Sequence, residues 1–189
     1  FSSMAGKSKI LINMENNNPV YNDCYFSEEG GLEESLWVFV KGNNIQRFSE
    51  NDDIYAGETG FGSGLNFFAL IYYVKTEMPQ FTGKIDYFSC EKYPLSPDAV
   101  RELHCPLFAE DDLYHSKYMD IYEHFFSCLK PGLNIMEFQL SGLTVRLSYY
   151  YGEAAEGLNL IGKKRDIWFL DGHDPEKNPD MWSRSIFKL

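Results

Sequence analysis

A chain of 189 residues is long enough to bury one full core, and its 44% hydrophobic content is that of a globular protein. A net charge of −11 argues against a general affinity for nucleic acid, and no apolar run approaches the ~18 residues of a membrane span. Cys24, Cys90, Cys105 and Cys128 form no C-x-x-C pair and have no histidine at metal-ligand spacing, so structural thiols in a reducing, cytoplasmic setting are expected, with no metal.

In chain order, Phe1-Ser2-Ser3 ahead of Met4 reads as a tag remnant within a flexible start covering residues 1–18. Residues 19–52 read as an N-terminal lobe with a hairpin: Leu36-Trp37-Val38-Phe39-Val40 is strand-like and Lys41-Gly42-Asn43-Asn44-Ile45 supplies the turn. From residue 53 to 189 strands and helices alternate. A first strand is expected over 53–56, a helix over 65–75 and a second strand over 84–90. Ser96 caps a helix running to about His104, with Pro97 in its first turn. A longer helix over 112–129 is closed by Pro131-Gly132. Residues 134–138 and 143–151 read as a hairpin whose second arm is the third core strand. Residues 153–161 read as helix, 166–170 as a buried fourth strand, and another helix is expected from Pro179. This alternation implies an α/β domain with its site at the carboxyl ends of the strands.

Between the first strand and its helix lies Glu58-Thr59-Gly60-Phe61-Gly62-Ser63-Gly64-Leu65-Asn66. A dinucleotide fingerprint spaces its glycines as G-x-G-x-x-G and seats a pyrophosphate on the helix N-terminus. Here the spacing is G-x-G-x-G, and Leu65 occupies the place of the third small residue, which disfavours a nucleotide-cofactor oxidoreductase. The pattern E-x-G-x-G-x-G resembles the first motif of S-adenosylmethionine-dependent methyltransferases, whose cofactor has no phosphate and needs close backbone approach. Glu58, Glu91, Glu153 and Asp171 fall at four successive strand ends, facing one crevice. The acid after strand two is placed to accept both ribose hydroxyls, and the one after strand three to reach the adenine amino group. The acid after strand four lies beside the transferable methyl. Each alone also reads as a solvated loop carboxylate; in register with the glycine loop they read as a site.

Five ordered motifs carry a closer resemblance. They are Phe26-Ser27 with Gly31-Leu32-Glu33-Glu34 and Val38-Phe39, the glycine loop through Phe67, Glu91-Lys92-Tyr93-Pro94-Leu95, Trp168-Phe169-Leu170-Asp171-Gly172, and Asn178-Pro179-Asp180-Met181-Trp182. From about Tyr25 onward the chain resembles the methyltransferase domain of the bacterial tRNA 5-methylaminomethyl-2-thiouridine biosynthesis family. The resemblance implies a Rossmann-like class I methyltransferase sheet. It also implies transfer of a methyl group from S-adenosyl-L-methionine to the aminomethyl nitrogen of 5-aminomethyl-2-thiouridine at the tRNA wobble position. Methylation of another nucleoside or of a small-molecule amine is the alternative.

Carried onto this chain, the resemblance places the cofactor against Glu58, Gly60, Phe61, Gly62, Gly64 and Asn66, with Glu91, Lys92, Glu153 and Asp171 completing its site. Asp171 is the expected catalytic residue, accepting a hydrogen bond from the amine and taking or relaying its proton. Glu33, Glu34, His173, Asn178 and Trp182 are the expected substrate residues. Asn178 ahead of Pro179 also suits a helix cap, and Trp182 also suits core packing. Two features depart from the family. His173-Asp174 stands where members carry an aromatic and a small residue, and the chain ends at Leu189, where the family's sheet continues. The C-terminal strands are therefore expected to be absent, as is the flavin-dependent oxidase domain often fused behind. The basic run Lys163-Lys164-Arg165 should lie at the end of the sheet opposite the site, a weak basis for a tRNA track.

Overall fold

The computed structural model describes residues 17–18, 23–24, 30–109, 112–140, 142–171, 175–184 and 186. The tag reading at residues 1–3 and the expectations for His173 and Asp174 lie outside the described residues. Short strands β1 (Asn17–Asn18) and β2 (Asp23–Cys24) pair antiparallel. Helix α1 (Gly31–Glu34) runs directly into wider, π-type turns over Ser35–Lys41, and Ile45–Arg47 forms a single 3-10 turn. The strand and hairpin turn expected over residues 36–45 are therefore corrected to helix. The reason is spacing: Leu32, Leu36, Phe39 and Val40 recur at helical intervals and pack on the core, whereas Trp37 and Val38 of the same apolar run face solvent. Phe39 meets Phe169 with ring centroids 5.8 Å apart.

The main sheet has five strands in the order β5-β6-β4-β3-β7. Strands β3 (Ile54–Glu58), β4 (Lys84–Glu91), β6 (Leu143–Tyr151) and β7 (Ile167–Phe169) are mutually parallel, and β5 (Gly132–Leu140) joins β6 as an antiparallel hairpin. The order reverses at β3, whose neighbours β4 and β7 come from opposite directions of winding. A ligand crevice in such sheets opens at that reversal. Helix α2 (Leu65–Glu77) is buried nearly all round because it packs on the N-terminal helical segment and on α4 (Leu113–Cys128). Ser96 caps α3 (Pro97–His104) by accepting the Ala99 N–H, and Asp112 caps α4 by accepting the His115 N–H.

On the other face a smaller cluster gathers Phe88, Cys90, Leu158 and Ile186, with Trp168 against it. Gly57 on β3 lies directly under that indole: a Cβ there would come within 2.7 Å of the Trp168 ring. Helix α5 (Ala154–Leu158) is shorter than expected. A Cβ on its Gly157 would sit 2.6 Å from Cys90 Sγ, so that close approach needs glycine. The helix expected from Pro179 is replaced, among the described residues, by turns in which Trp182 N–H donates to the Pro179 carbonyl.

The basic run divides. Lys163 Nζ donates to the Tyr55 hydroxyl at 2.9 Å, while Arg165 is buried and its Nη1 donates to Asp86 Oδ1 at 2.6 Å. Removing one partner of a buried pair leaves the other charge uncompensated. Arg165→Ala should therefore cost about 3–5 kcal/mol of stability in urea unfolding. A loss below ~1 kcal/mol would show that the pair behaves as an exposed one.

Candidate active site

The chain leaves β3 through the glycine loop and enters α2. Gly62 and Gly64 take φ of 53° and 74°, which glycine adopts without strain. Phe61 N–H donates to the Cys90 carbonyl at 2.9 Å, tying the loop to β4. The Phe61 ring turns into the core, stacked on Tyr122 at 6.3 Å and edge-on to Tyr149 at 5.1 Å. Only the Phe61 backbone thus belongs to the loop surface.

Glu91, at the end of β4, braces this loop. Its Oε2 accepts the Gly62 N–H at 2.9 Å and its Oε1 accepts the Tyr93 N–H at 2.8 Å. Burial raises its pKa, against backbone hydrogen bonds from Tyr93, Gly62 and Lys92 that lower it. Both oxygens keep a lone pair for a further donor. Beyond it, Lys92 and Glu153 pair with each other at 2.5 Å across the ends of β4 and β6, both largely in solvent. Glu153 raises the pKa of Lys92. A carboxylate expected to meet an adenine amino group is here held by a lysine at the rim.

Glu58, Asn66 and Asp171 converge. Asn66 Nδ2 donates to Glu58 Oε1 at 3.1 Å and to Asp171 Oδ2 at 2.6 Å, and the Ser89 hydroxyl donates to Glu58 Oε2 at 3.0 Å. Glu58 is buried, and its pKa is pushed well above the usual carboxylate range by desolvation and then by the Asp171 charge. Asp171 as a residue is open to solvent, yet desolvation of its carboxyl raises its pKa. The Asn66 hydrogen bond pulls that pKa down, and the charge of Glu34 pushes it up again. Glu34 therefore stands near enough to the mouth to be felt there. Glu33, one residue earlier on α1, bends back toward Gly30.

The segment 178–182 reaches the same place. Asn178 is buried and its Nδ2 lies 3.8 Å from Met181 Sδ, and turns follow it over residues 179–184. Met181 Cε would lie 3.5 Å from a Cβ on Gly60, and the Asp171 carbonyl 3.7 Å. Trp182 is half-buried beside it. Three participants escaped sequence reasoning: Ser89 beneath Glu58, Met181 over Gly60, and Tyr118, whose hydroxyl donates to the Gly64 carbonyl at 3.4 Å. Ser89 carried a signal as a hydroxyl in an apolar strand two residues before its terminal acid, and Met181 lay inside the motif of residues 178–182.

The donor set fits S-adenosyl-L-methionine. The glycine loop gives close backbone access beside Glu91, and Asn66 Oδ1 is a buried acceptor with no partner among the described residues. An ammonium group such as that of the methionyl end would satisfy it. Among the described residues no group of three metal-ligating side chains gathers, and no helix is long and apolar enough to cross a membrane.

Fold and site are those of a Rossmann-like S-adenosyl-L-methionine-dependent methyltransferase, and the family model so described matches residues 115–189. Its relatives include the tRNA 5-methylaminomethyl-2-thiouridine biosynthesis bifunctional protein MnmC of Pseudomonas entomophila, 36% identical over 171 residues, covering 88% of this chain and 25% of the relative. The protein of that name from Pseudomonas fluorescens is 37% identical over 174 residues, covering 89% and 25%. This chain thus spans about a quarter of the length of these relatives. In fold it is similar to the crystal structure of MNMC2 from Aquifex aeolicus, with TM-score 0.65 at 23% identity, covering 90% of this chain and 50% of that one.

Proposed function

We propose that the domain methylates the aminomethyl nitrogen of 5-aminomethyl-2-thiouridine at the wobble position of tRNA, in the cytoplasm. The relatives' name, with its methylaminomethyl product, supports this reading. The observation that carries it is Asp171, held by Asn66 at 2.6 Å at the end of β7 and beside Gly60. S-adenosyl-L-methionine supplies an electrophilic methyl group on a sulfonium. Asp171 accepts a proton from the substrate ammonium, so that the N–H bond pair stays on nitrogen. The freed lone pair would be the nucleophile for the methyl group that S-adenosyl-L-methionine, held at the glycine loop, Glu91 and Asn66, would supply, its S–CH3 bond pair remaining with sulfur. The raised pKa of Asp171 brings it closer to that of the amine, which favours the proton transfer. Glu34 adds negative charge that attracts the cation before it is deprotonated. Asn178 holds the nucleobase and Trp182 stacks on it, a contact worth roughly 1–3 kcal/mol. An oxidase partner would supply the exposed amine by removing a larger substituent.

The test is transfer of labelled methyl to tRNA bearing 5-aminomethyl-2-thiouridine, with the product nucleoside identified by mass spectrometry. Label appearing only in free amines, with that tRNA untouched, would assign a small-molecule substrate instead. For the cofactor site, Glu91→Ala should weaken S-adenosylhomocysteine binding by about 1.5–3 kcal/mol in calorimetry, the scale of a charge-assisted hydrogen bond. Unchanged affinity in a folded variant would remove Glu91 from the site.

A further inference from the structure

We propose that Asn66 is a positioning residue for methyl transfer, its amide divided between the Asp171 carboxylate and a Glu58 that is carried as a neutral acid. The proposal rests on the role of Asp171 given above. Glu58 is 1% exposed. The groups that face it are Asn66 of α2, Tyr87, Ser89 and Cys90 of β4, Tyr118 of α4 and Asp171 after β7. None of them is a cation. Two carboxylates joined by one amide, with no positive charge facing Glu58 among the described residues, do not both ionise at neutral pH, and the more buried one keeps the proton. The rise in the Glu58 pKa, led by desolvation and followed by the Asp171 charge, runs the same way.

The hydrogen bonds accommodate that proton. With the proton on Oε2 the 3.0 Å contact with Ser89 Oγ reverses, the acid donating to the hydroxyl oxygen in place of accepting from it, and Oε1 stays a carbonyl acceptor for Asn66. The second amide hydrogen of Asn66 then goes to Asp171 Oδ2 at 2.6 Å, the shorter of its two bonds. The single charge of the pair sits on Asp171, the residue at the mouth, in an orientation fixed from below. Asn66 Oδ1 remains the buried acceptor that the methionyl ammonium would satisfy. Glu58 is therefore structural support for the acid above it, and its contribution does not depend on a negative charge.

The decisive measurement is carbon NMR of protein labelled at its glutamate carboxyls. One resonance, assigned by its loss in Glu58→Gln and independently by its shift in Ser89→Ala, should hold the protonated position at pH 7. An ionised Glu58 at pH 7 overturns the proposal. For Asn66, the hydrogen bond favours the charged form of Asp171, so its loss raises the Asp171 pKa. In Asn66→Ala the acid limb of the kcat profile should move up by about one unit, slowing methylation about tenfold at pH values below that limb, with recovery as pH rises. A rate lowered equally at every pH would mean packing alone and would also overturn the proposal. If the wild-type protein methylates no such tRNA, the substrate reading fails separately. The same shift is then read on the Asp171 carboxyl in aspartate-labelled protein.

Discussion

Asp171→Asn should slow methylation by roughly 100-fold or more, the scale of a positioned acid–base group, while leaving cofactor affinity within a few-fold. The substitution keeps the side chain's shape and one oxygen. That oxygen can still accept the Asn66 amide hydrogen that now reaches Oδ2 at 2.6 Å, so the crevice keeps its geometry. What disappears is the charge that draws a proton from the amine. His173 and Asp174 follow within three residues and either could serve as the base, so the comparison must include them. Single-turnover methylation by Asp171→Asn, His173→Phe and Asp174→Ala proteins distinguishes the three. Asp171→Asn should be the crippled variant and Asp174→Ala should stay active. The reverse result would move the catalytic role to Asp174 and leave the fold and cofactor class standing.

Gly64→Ala should destabilise the domain by about 2–5 kcal/mol, combining a left-handed backbone cost with overpacking. Gly64 sits at φ 74°, and an added Cβ would overlap the Tyr118 hydroxyl and lie 2.7 Å from the Phe61 ring. Neither ring can easily withdraw, because Tyr118 and Phe61 are themselves buried and interlocked with Phe67 and Tyr122. The strain must then be relieved by the loop, whose Gly62 N–H braces Glu91. Cofactor affinity should fall together with the urea midpoint. A variant of unchanged midpoint and affinity would show that the helix start shifts at little cost. Tyr118→Phe combined with Gly64→Ala should recover part of the loss by removing the overlapped oxygen.

The sequence by itself determined the alternating core, because those elements are marked by local chemistry. Ser96 and Asp112 cap helices through their own side chains, the glycine loop separates β3 from α2, and strand-terminal acids follow short apolar runs. Each signal acts within a few residues, so it survives in one dimension. The segment over residues 36–40 did not, since five consecutive apolar residues suit strand and helix alike until something selects the buried face. Here α2 and Phe169 select it, leaving Trp37 in solvent. The site shows the same division. Four acids could be assigned to strand ends from the chain alone, but their unequal surroundings could not. Lys92 holds Glu153, backbone N–H groups hold Glu91, and Asn66 ties Glu58 to Asp171 across separations of 8 and 105 residues. Only the tertiary structure decided those partners, because desolvation and charge act through space and take no account of distance along the chain.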